Sequence, residues 1–315
     1  MLHSKAGYRV GVDLYLPIAN LSVNAFVIVG LGLGVGLLSG MFGVGGGFLT
    51  TPLLIFYGIP PTVAAASSAS QVTGASISGV FAHFRRDGVD VRMGLVLVAG
   101  GMLGSFAGAW LFAWLQASGA IDTVIAILYV LMLGSVGGLM LYESLHAVRA
   151  TRGAVPPKPR RKRHHPLVAM LPLRWRFYRS GLYISPLAPV ILGFFTGVLT
   201  MLLGVGGGFI LVPAMIYLLG MGTSVVVGTS LFQILFVTAW ATMVHATTTK
   251  AVDIVLAALL LIGSVIGAQL GARLASKAKP EQLRLALAVI VLIVALRMLL
   301  GLAWRPDEIY SVELL

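Results

Sequence analysis

The sequence contains no cysteine and few charged residues. Without cysteine the chain has no disulfides, thiolate metal ligands or cysteine nucleophiles. Charged residues make up only 10% of the chain, against about 25% in an average soluble domain. Hydrophobic residues make up 58%, and the mean hydropathy is +0.97. These values exclude an ordinary soluble globule and indicate a membrane protein.

Long apolar runs recur along the chain, each of about 20 residues, which is enough for a helix to cross a hydrocarbon core of roughly 30 Å. The runs are Val23–Phe42, Val91–Leu115, Asp122–Tyr142, Pro186–Leu203, Ile254–Leu274 and Leu283–Leu302. Residues 1–21 lack the uninterrupted apolar core of a cleavable signal peptide. The pattern predicts an all-α polytopic membrane protein with about 8–10 membrane segments.

The positive charge is concentrated in the middle of the chain. Residues 146–182 hold ten of the 22 lysines and arginines and no acidic residue. We interpret this stretch as a cytoplasmic loop attracted to the anionic headgroups of the lipid bilayer, and not as a nucleic-acid site. It separates a first transmembrane repeat, residues 22–145, from a second, residues 183–304. No partner ligand with metal-site spacing follows His164 and His165, so no metal is expected there.

The two regions are related by an internal repeat. The run Gly43–Phe48 recurs as Gly204–Phe209, 161 positions later, and Gln71 aligns with Gln233 after one inserted residue. The pattern Gly-x3-Gly-x3-Gly-Ala beginning at Gly100 recurs 163 positions later. We expect these glycine stripes to be helix-packing faces.

The loop charges predict that the halves are inverted relative to each other. Arg85, Arg86 and Arg92 precede the fourth segment of the first half, whereas residues 116–121 carry no basic residue. In the second half the equivalent first loop holds only Lys250, and the next loop, residues 277–284, holds three basic residues. If basic loops face the cytoplasm, both termini lie outside. Inverted repeats are typical of transporters that work by alternating access.

The glycine runs interrupt hydrophobic sequence and precede short apolar segments. A helix break at membrane depth is tolerated where it lines a cavity, and the N-terminus of the next helix attracts anions. A tight turn or close helix packing is the other interpretation. The candidate binding residues in these runs are Gly45, Gly46, Gly47, Gly206, Gly207 and Gly208.

Polar residues cluster on the third segment of each half. They are Ser67, Ser68 and Gln71 in the first half and Thr229, Ser230 and Gln233 in the second. Uncharged hydroxyl and amide donors suit an anion that must bind and then leave, and we predict that these side chains bind the solute. Hydrogen bonds between helices are the alternative role.

Ionisable residues are rare within the spans. Asp90 and Asp253 stand where helices are predicted to begin, so we assign them to N-caps. The lack of carboxylates inside the spans favours an anion over a cation as solute. His83 and His245 align, and either couple transport to protons or anchor the helices at the interface. Neither has the acidic partners that a membrane-embedded enzyme needs, and no cofactor is expected.

The two copies of Gly-x-Gly-Gly-Gly-Phe followed by Pro, each leading into a Ser/Thr-rich helix that contains Gln71 or Gln233, resemble the sulfite exporter TauE/SafE family. The resemblance covers about residues 25–300. It implies a permease of the bacterial inner membrane for sulfite, a sulfonate or another sulfur-containing or organic anion. An anion channel, with the same donors lining a continuous pore, is the alternative function.

Overall fold

The computed structural model describes residues 13–42, 46–150, 175–275 and 280–303. The first half comprises β1 (Asp13–Leu16), β2 (Leu21–Asn24), α1 (Ala25–Phe42), α2 (Gly47–Phe56), α3 (Pro61–Phe84), α4 (Val91–Ala117) and α5 (Ile121–Ala150). The second comprises β3 (Trp175–Phe177), β4 (Leu182–Ile184), α6 (Leu187–Leu203), α7 (Gly208–Tyr217), α8 (Thr223–Val244), α9 (Ile254–Ala275) and α10 (Pro280–Ala303). The predicted all-α membrane fold is confirmed.

Within the described residues, five helical segments are long and apolar enough to cross a membrane: Val91–Ala117, Ile121–His146, Val225–Thr249, Ile254–Gly271 and Leu285–Ala303. Four shorter apolar helices accompany them, including α2 and α7 with ten residues each. At 1.5 Å per residue, ten residues cover about 15 Å, roughly half the hydrocarbon core. The chain is a multi-pass membrane protein in which each half contains one half-length helix.

The main helix contacts join one half of the protein to the other. Helix α1 packs on α9, and its counterpart α6 packs on α4. The glycine stripes allow backbones to touch, because a methyl group on Gly267 would lie 2.1 Å from the Leu33 oxygen, and one on Gly104 1.9 Å from the Phe194 oxygen. The predicted packing role of the stripes is therefore confirmed, as expected for small residues between membrane helices.

The register of these contacts gives the relative directions of the helices. Along α1, Gly32 faces Leu260 and Gly40 faces Ala268, so α1 and α9 run parallel. By the same criterion α4 runs parallel to α6, with Gly100 facing Val190 and Gly104 facing Phe194.

The third helices of the two halves cross in the opposite sense. The Thr73 hydroxyl donates to Thr238 Oγ1 at 2.8 Å, and the Ser70 hydroxyl lies 3.4 Å from Thr242 Oγ1. Because residue numbers rise on α3 as they fall on α8, these two helices are antiparallel.

A β-hairpin precedes the first helix of each half, and each hairpin is hydrogen-bonded to an aspartate of the other half. The backbone N–H of Ile18 donates to Asp253 Oδ2 at 3.2 Å, and that of Ser180 donates to Asp90 Oδ2 at 2.9 Å. The same aspartates accept from Leu256 N and Met93 N at the starts of α9 and α4. Both therefore serve as helix N-caps, as the sequence predicts.

The hairpins have no counterpart in the sequence analysis, which placed residues 175–182 in the basic loop. Their inward residues Phe177, Leu182 and Ile184 are buried against α4 in a core that includes Met93. The predicted loop also included residues 146–150, which instead belong to α5. Residues 151–174 of the loop and the region around Lys277 lie outside the described residues.

Candidate functional site

The two glycine breaks meet inside the bundle. Helix α2 begins beside the middle of α1, because a methyl group on Gly46 would lie 3.2 Å from Val35 Cγ1. One on Gly47 would lie 3.0 Å from the backbone oxygens of Gly204 and Val205. The N-termini of the two half-length helices therefore lie next to each other.

Aromatic stacking fixes this junction. The rings of Phe48 and Phe209, the second residues of α2 and α7, are 4.6 Å apart between centroids and 5° from parallel. Both side chains are buried. The carbonyl of Leu203, at the end of α6, accepts hydrogen bonds from Thr51 Oγ1 at 3.1 Å and from the Tyr129 hydroxyl at 2.5 Å. The last turn of α6 is thus held by both α2 and α5.

Glycine is required by the backbone of the second break. Gly204, Gly206 and Gly207 have φ of +70°, +72° and +73°, a left-handed conformation in which a Cβ is strained. A methyl group on Gly204 would lie 2.0 Å from the backbone oxygen of Ala65. The break therefore passes directly against α3, and a side chain at Gly204 has no space. Gly45 of the first break lies outside the described residues.

Neither half-length helix has a side-chain cap among the described residues. Gly46 and Gly207 are the N-cap positions, and the first turn of each helix lacks an acidic side chain. The first N–H groups of a helix have no intrahelical carbonyl to bind. Their partial positive charge therefore favours an anion at the junction.

Gln71 extends from α3 to the start of α2. The Thr50 hydroxyl lies 3.1 Å from Gln71 Oε1 and 3.0 Å from the Gly46 oxygen. Gln71 is 1% exposed, and its Nε2 has no hydrogen-bond partner among the described residues. The amide nitrogen lies 3.5 Å from the position of a methyl group on Gly46. A buried donor without a partner in the described part of the chain therefore lies at the N-terminus of α2.

Gln233 occupies the equivalent place on α8 but is held differently. Its Nε2 is 3.5 Å from Thr196 Oγ1 on α6, and its Oε1 has no partner among the described residues. In the first half the position aligned with Thr196 is Val35, and in the second the position aligned with Thr50 is Leu211. Each glutamine thus has one threonine neighbour, but the two threonines come from different helices.

Of the four hydroxyl residues predicted beside the glutamines, two make hydrogen bonds to the other half of the protein and two make none to it among the described residues. Ser68 Oγ is fully buried and has no partner within the described part of the chain. Ser230 donates to the Val227 oxygen of its own helix at 2.9 Å. Ser67 and Thr229 instead bridge the halves: their hydroxyl oxygens accept from Asp253 N at 3.1 Å and Asp90 N at 2.9 Å.

The aligned histidines lie in unlike surroundings. His83 is half-buried near the end of α3 and lies against Gly228 of α8. His245 begins a π-helical turn, His245–Thr249, and is fully buried. Its Nε2 is 3.0 Å from the Met201 oxygen and its Nδ1 is 3.1 Å from Thr249 Oγ1. Both ring nitrogens of His245 are therefore engaged.

Four residues that contact the glutamines or the Leu203 carbonyl at the junction were not predicted from the sequence. Thr50 and Thr51 interrupt an otherwise apolar short helix, and that interruption was the available signal. Thr196 and Tyr129 lie in long apolar spans, where nothing in the local sequence distinguishes them from residues that only pack between helices. Their roles depend on partners at least 37 residues away.

A helical membrane protein whose two halves each place a half-length helix at a shared polar junction has the architecture of a membrane transporter. The family model for "Sulfite exporter TauE/SafE" matches residues 28–298. The chain belongs to this family, as its motifs indicate.

Curated relatives carry matching names. "Probable membrane transporter protein YjnA" of Bacillus subtilis (strain 168) is 27% identical over 275 residues, covering 86% of this chain and 98% of the relative. "Probable membrane transporter protein" of Xylella fastidiosa (strain 9a5c) is 28% identical over 286 residues, covering 90% and 96%. No solved structure matches the chain. Family and relatives are transporters, and none of these names indicates catalysis.

Proposed function

We propose that the protein is a secondary transporter for a small anion, working by alternating access at the glycine junction. One observation carries this proposal: Gln71 Nε2, which has no hydrogen-bond partner among the described residues, is buried beside the N-terminus of α2 at Gly46, where those residues provide no side-chain cap. A buried amide donor without a partner is costly. A bound anion offsets that cost, because its oxygen accepts from both the amide and the helix N-terminus.

Alternating access needs two halves that can exchange conformations. The contact registers support an inverted repeat. Ser67 on α3 contacts Asp253, and Gly74 further along α3 faces Leu261, so α3 runs parallel to α9. Because α1 is also parallel to α9, these three helices share one direction. Helix α3 is antiparallel to α8, and the counterparts of the three helices, α6, α8 and α4, share the other direction.

The charges support an orientation. Arg85, Arg86 and Arg92 flank the start of α4, and Arg176 and Arg179 lie on the hairpin bound to that start. The loop between α4 and α5, at the other end of α4, carries no basic residue. By the positive-inside rule the arginine-rich face and the central loop are cytoplasmic, with both termini outside and the chain in a bacterial inner membrane.

Uncharged donors favour sulfite, a sulfonate or another sulfur-containing or organic anion as the substrate. The name of the family supports sulfite. Among the described residues, Asp90 and Asp253 are taken up by N-caps and hairpins, and so are not available to a cation at the junction.

The test is transport by the purified chain in proteoliposomes. We expect saturable uptake of sulfite or a sulfonate, with acceleration by the same anion on the opposite side. Uptake with and without a pH gradient, in wild type and in His83→Gln and His245→Gln, determines whether protons are coupled. Single-channel currents would instead establish a channel, and the absence of flux for sulfite, sulfate, sulfonates and short carboxylates would reject the proposed substrate class.

A further inference from the structure

The outer face of the second hairpin forms a cavity with α4 that the proposed transport mechanism does not use. This cavity has a volume of 620 Å³. Residues from both elements line it: Arg92, Leu95, Trp175, Arg176, Tyr178 and Tyr183. It lies at the start of α4, on the arginine-rich face, and about 20 residues of that helix separate it from the loop between α4 and α5.

Two cations of the cavity share one aromatic ring. The Arg92 guanidinium carbon lies 5.2 Å from the centroid of Tyr178, and that of Arg176 lies 5.8 Å from it. In the described part of the chain the one ion pair on this face joins Arg179 to Asp87, and no carboxylate pairs with Arg92 or Arg176. Two like charges near one ring repel each other, and an anion bound to both would offset this repulsion.

Apolar and aromatic side chains border the same cavity. Leu95, one turn into α4 from Arg92, is 55% exposed, and Trp175 and Tyr183 are each 58% exposed. Tryptophan and tyrosine favour the boundary between headgroups and hydrocarbon. The cavity therefore offers guanidinium groups to an anionic headgroup and an apolar wall to an acyl chain.

The first hairpin provides an internal comparison. In β3–β4 Arg176 pairs across the strands with Tyr183, whereas in β1–β2 Tyr15 pairs with Ser22. The first hairpin, residues 13–24, contains no lysine or arginine. The hairpins share their tie to an N-cap aspartate, but only the one on the arginine-rich face carries cations.

We propose that this cavity binds the headgroup of an anionic phospholipid, with the phosphate between Arg92 and Arg176. Arginine suits a phosphate because its planar fork donates two parallel hydrogen bonds. The bound lipid also fixes the hairpin against α4, and Ser180 of the hairpin holds Asp90 at the start of that helix. Lipid occupancy thus stabilises the end of α4 that contacts α8.

The experiment measures lipid retention by the full chain in detergent, using native mass spectrometry with added phosphatidylglycerol, phosphatidylcholine or inorganic phosphate. We expect retention of phosphatidylglycerol only. Arg92→Gln combined with Arg176→Gln should weaken its binding about 30-fold, since each basic residue near anionic lipid contributes about a factor of five. The control, Arg85→Gln with Arg86→Gln, removes equal charge from the same face and should change binding less than about threefold, because these two arginines do not line the cavity and attraction across solvent is screened.

A second readout does not depend on those variants. The chain has no cysteine, so a fluorophore attached through Tyr183→Cys reports on the cavity alone and should respond to phosphatidylglycerol. Equal weakening in both arginine double variants, equal retention of phosphatidylcholine, or a full fluorophore response to inorganic phosphate alone would each overturn the proposal.

Discussion

Replacing Gln71 by leucine separates binding from folding, because the two effects are expected to have opposite signs. Leucine has nearly the same size but no amide. In the folded protein the change removes a buried Nε2 that lacks a partner among the described residues, while Thr50 keeps the Gly46 oxygen as its acceptor at 3.0 Å. Removing an unpaired buried donor is close to neutral or stabilising. We therefore expect Tm without substrate to stay the same or rise.

Substrate binding should weaken at the same time. A hydrogen bond to a charged group contributes about 1.5–3 kcal/mol. Loss of the bond from Gln71 Nε2 to the anion should thus lower affinity roughly 10- to 150-fold. Because a ligand stabilises the folded state according to its affinity, the shift in Tm caused by the anion should shrink in parallel.

The assay combines initial uptake rates over a range of anion concentrations with thermal unfolding in the presence and absence of the anion. Gln116→Leu is the matched control, since it makes the same chemical change at an exposed residue at the end of α4. A Gln71→Leu protein with wild-type KM and a wild-type Tm shift would refute the assignment of Gln71 to the site.

Three other changes test separate parts of the structure. Gly207→Val should abolish transport, because φ is +73° at Gly207 and a branched side chain is strained there. Gly30→Val is the control: the structure leaves open space at Gly30, so this variant should retain transport in the same uptake assay. Ser67→Ala should lower the free energy of unfolding by about 1–3 kcal/mol and leave KM unchanged in denaturation and uptake measurements; a changed KM would instead place Ser67 at the substrate. Cysteines replacing Arg85 and Thr247, which are exposed and occupy equivalent places in the two halves, should react with an impermeant maleimide from opposite sides of the membrane, and labelling from one side would contradict the inverted topology.

Much of the fold could be predicted because it depends on patterns within short segments of the sequence. Apolar runs of membrane length gave the long helices, and the repeated glycine run located the two half-length helices. The stripes beginning at Gly100 and Gly263 indicated close packing, and aspartate before an apolar run indicated the caps at Asp90 and Asp253. Apart from the recurrence of the glycine run 161 positions later, each of these signals lies within one helix or at its start.

Features that depend on distant partners could not be predicted. The strands of the hairpins have three or four residues, and Trp175–Phe177 adjoins an arginine-rich stretch that resembles an exposed loop. Ser67 is predicted to bind the solute, and its contact with the backbone N–H of Asp253 could not be foreseen because that residue is 186 positions away. The role of Thr50 could not be predicted, because its contact with Gln71 requires α2 to pack against α3.

The interleaving of the halves has a consequence for biosynthesis. Gly32 of α1 contacts Leu260 of α9, so at about 5–20 residues per second the ribosome needs roughly 10–50 s between making one and the other. During that interval the glycine face of α1 and the buried polar groups of α3 are in lipid without their final partners. The first half must therefore persist as an incompletely packed intermediate, and a chain truncated before α9 should be a substrate for membrane proteases.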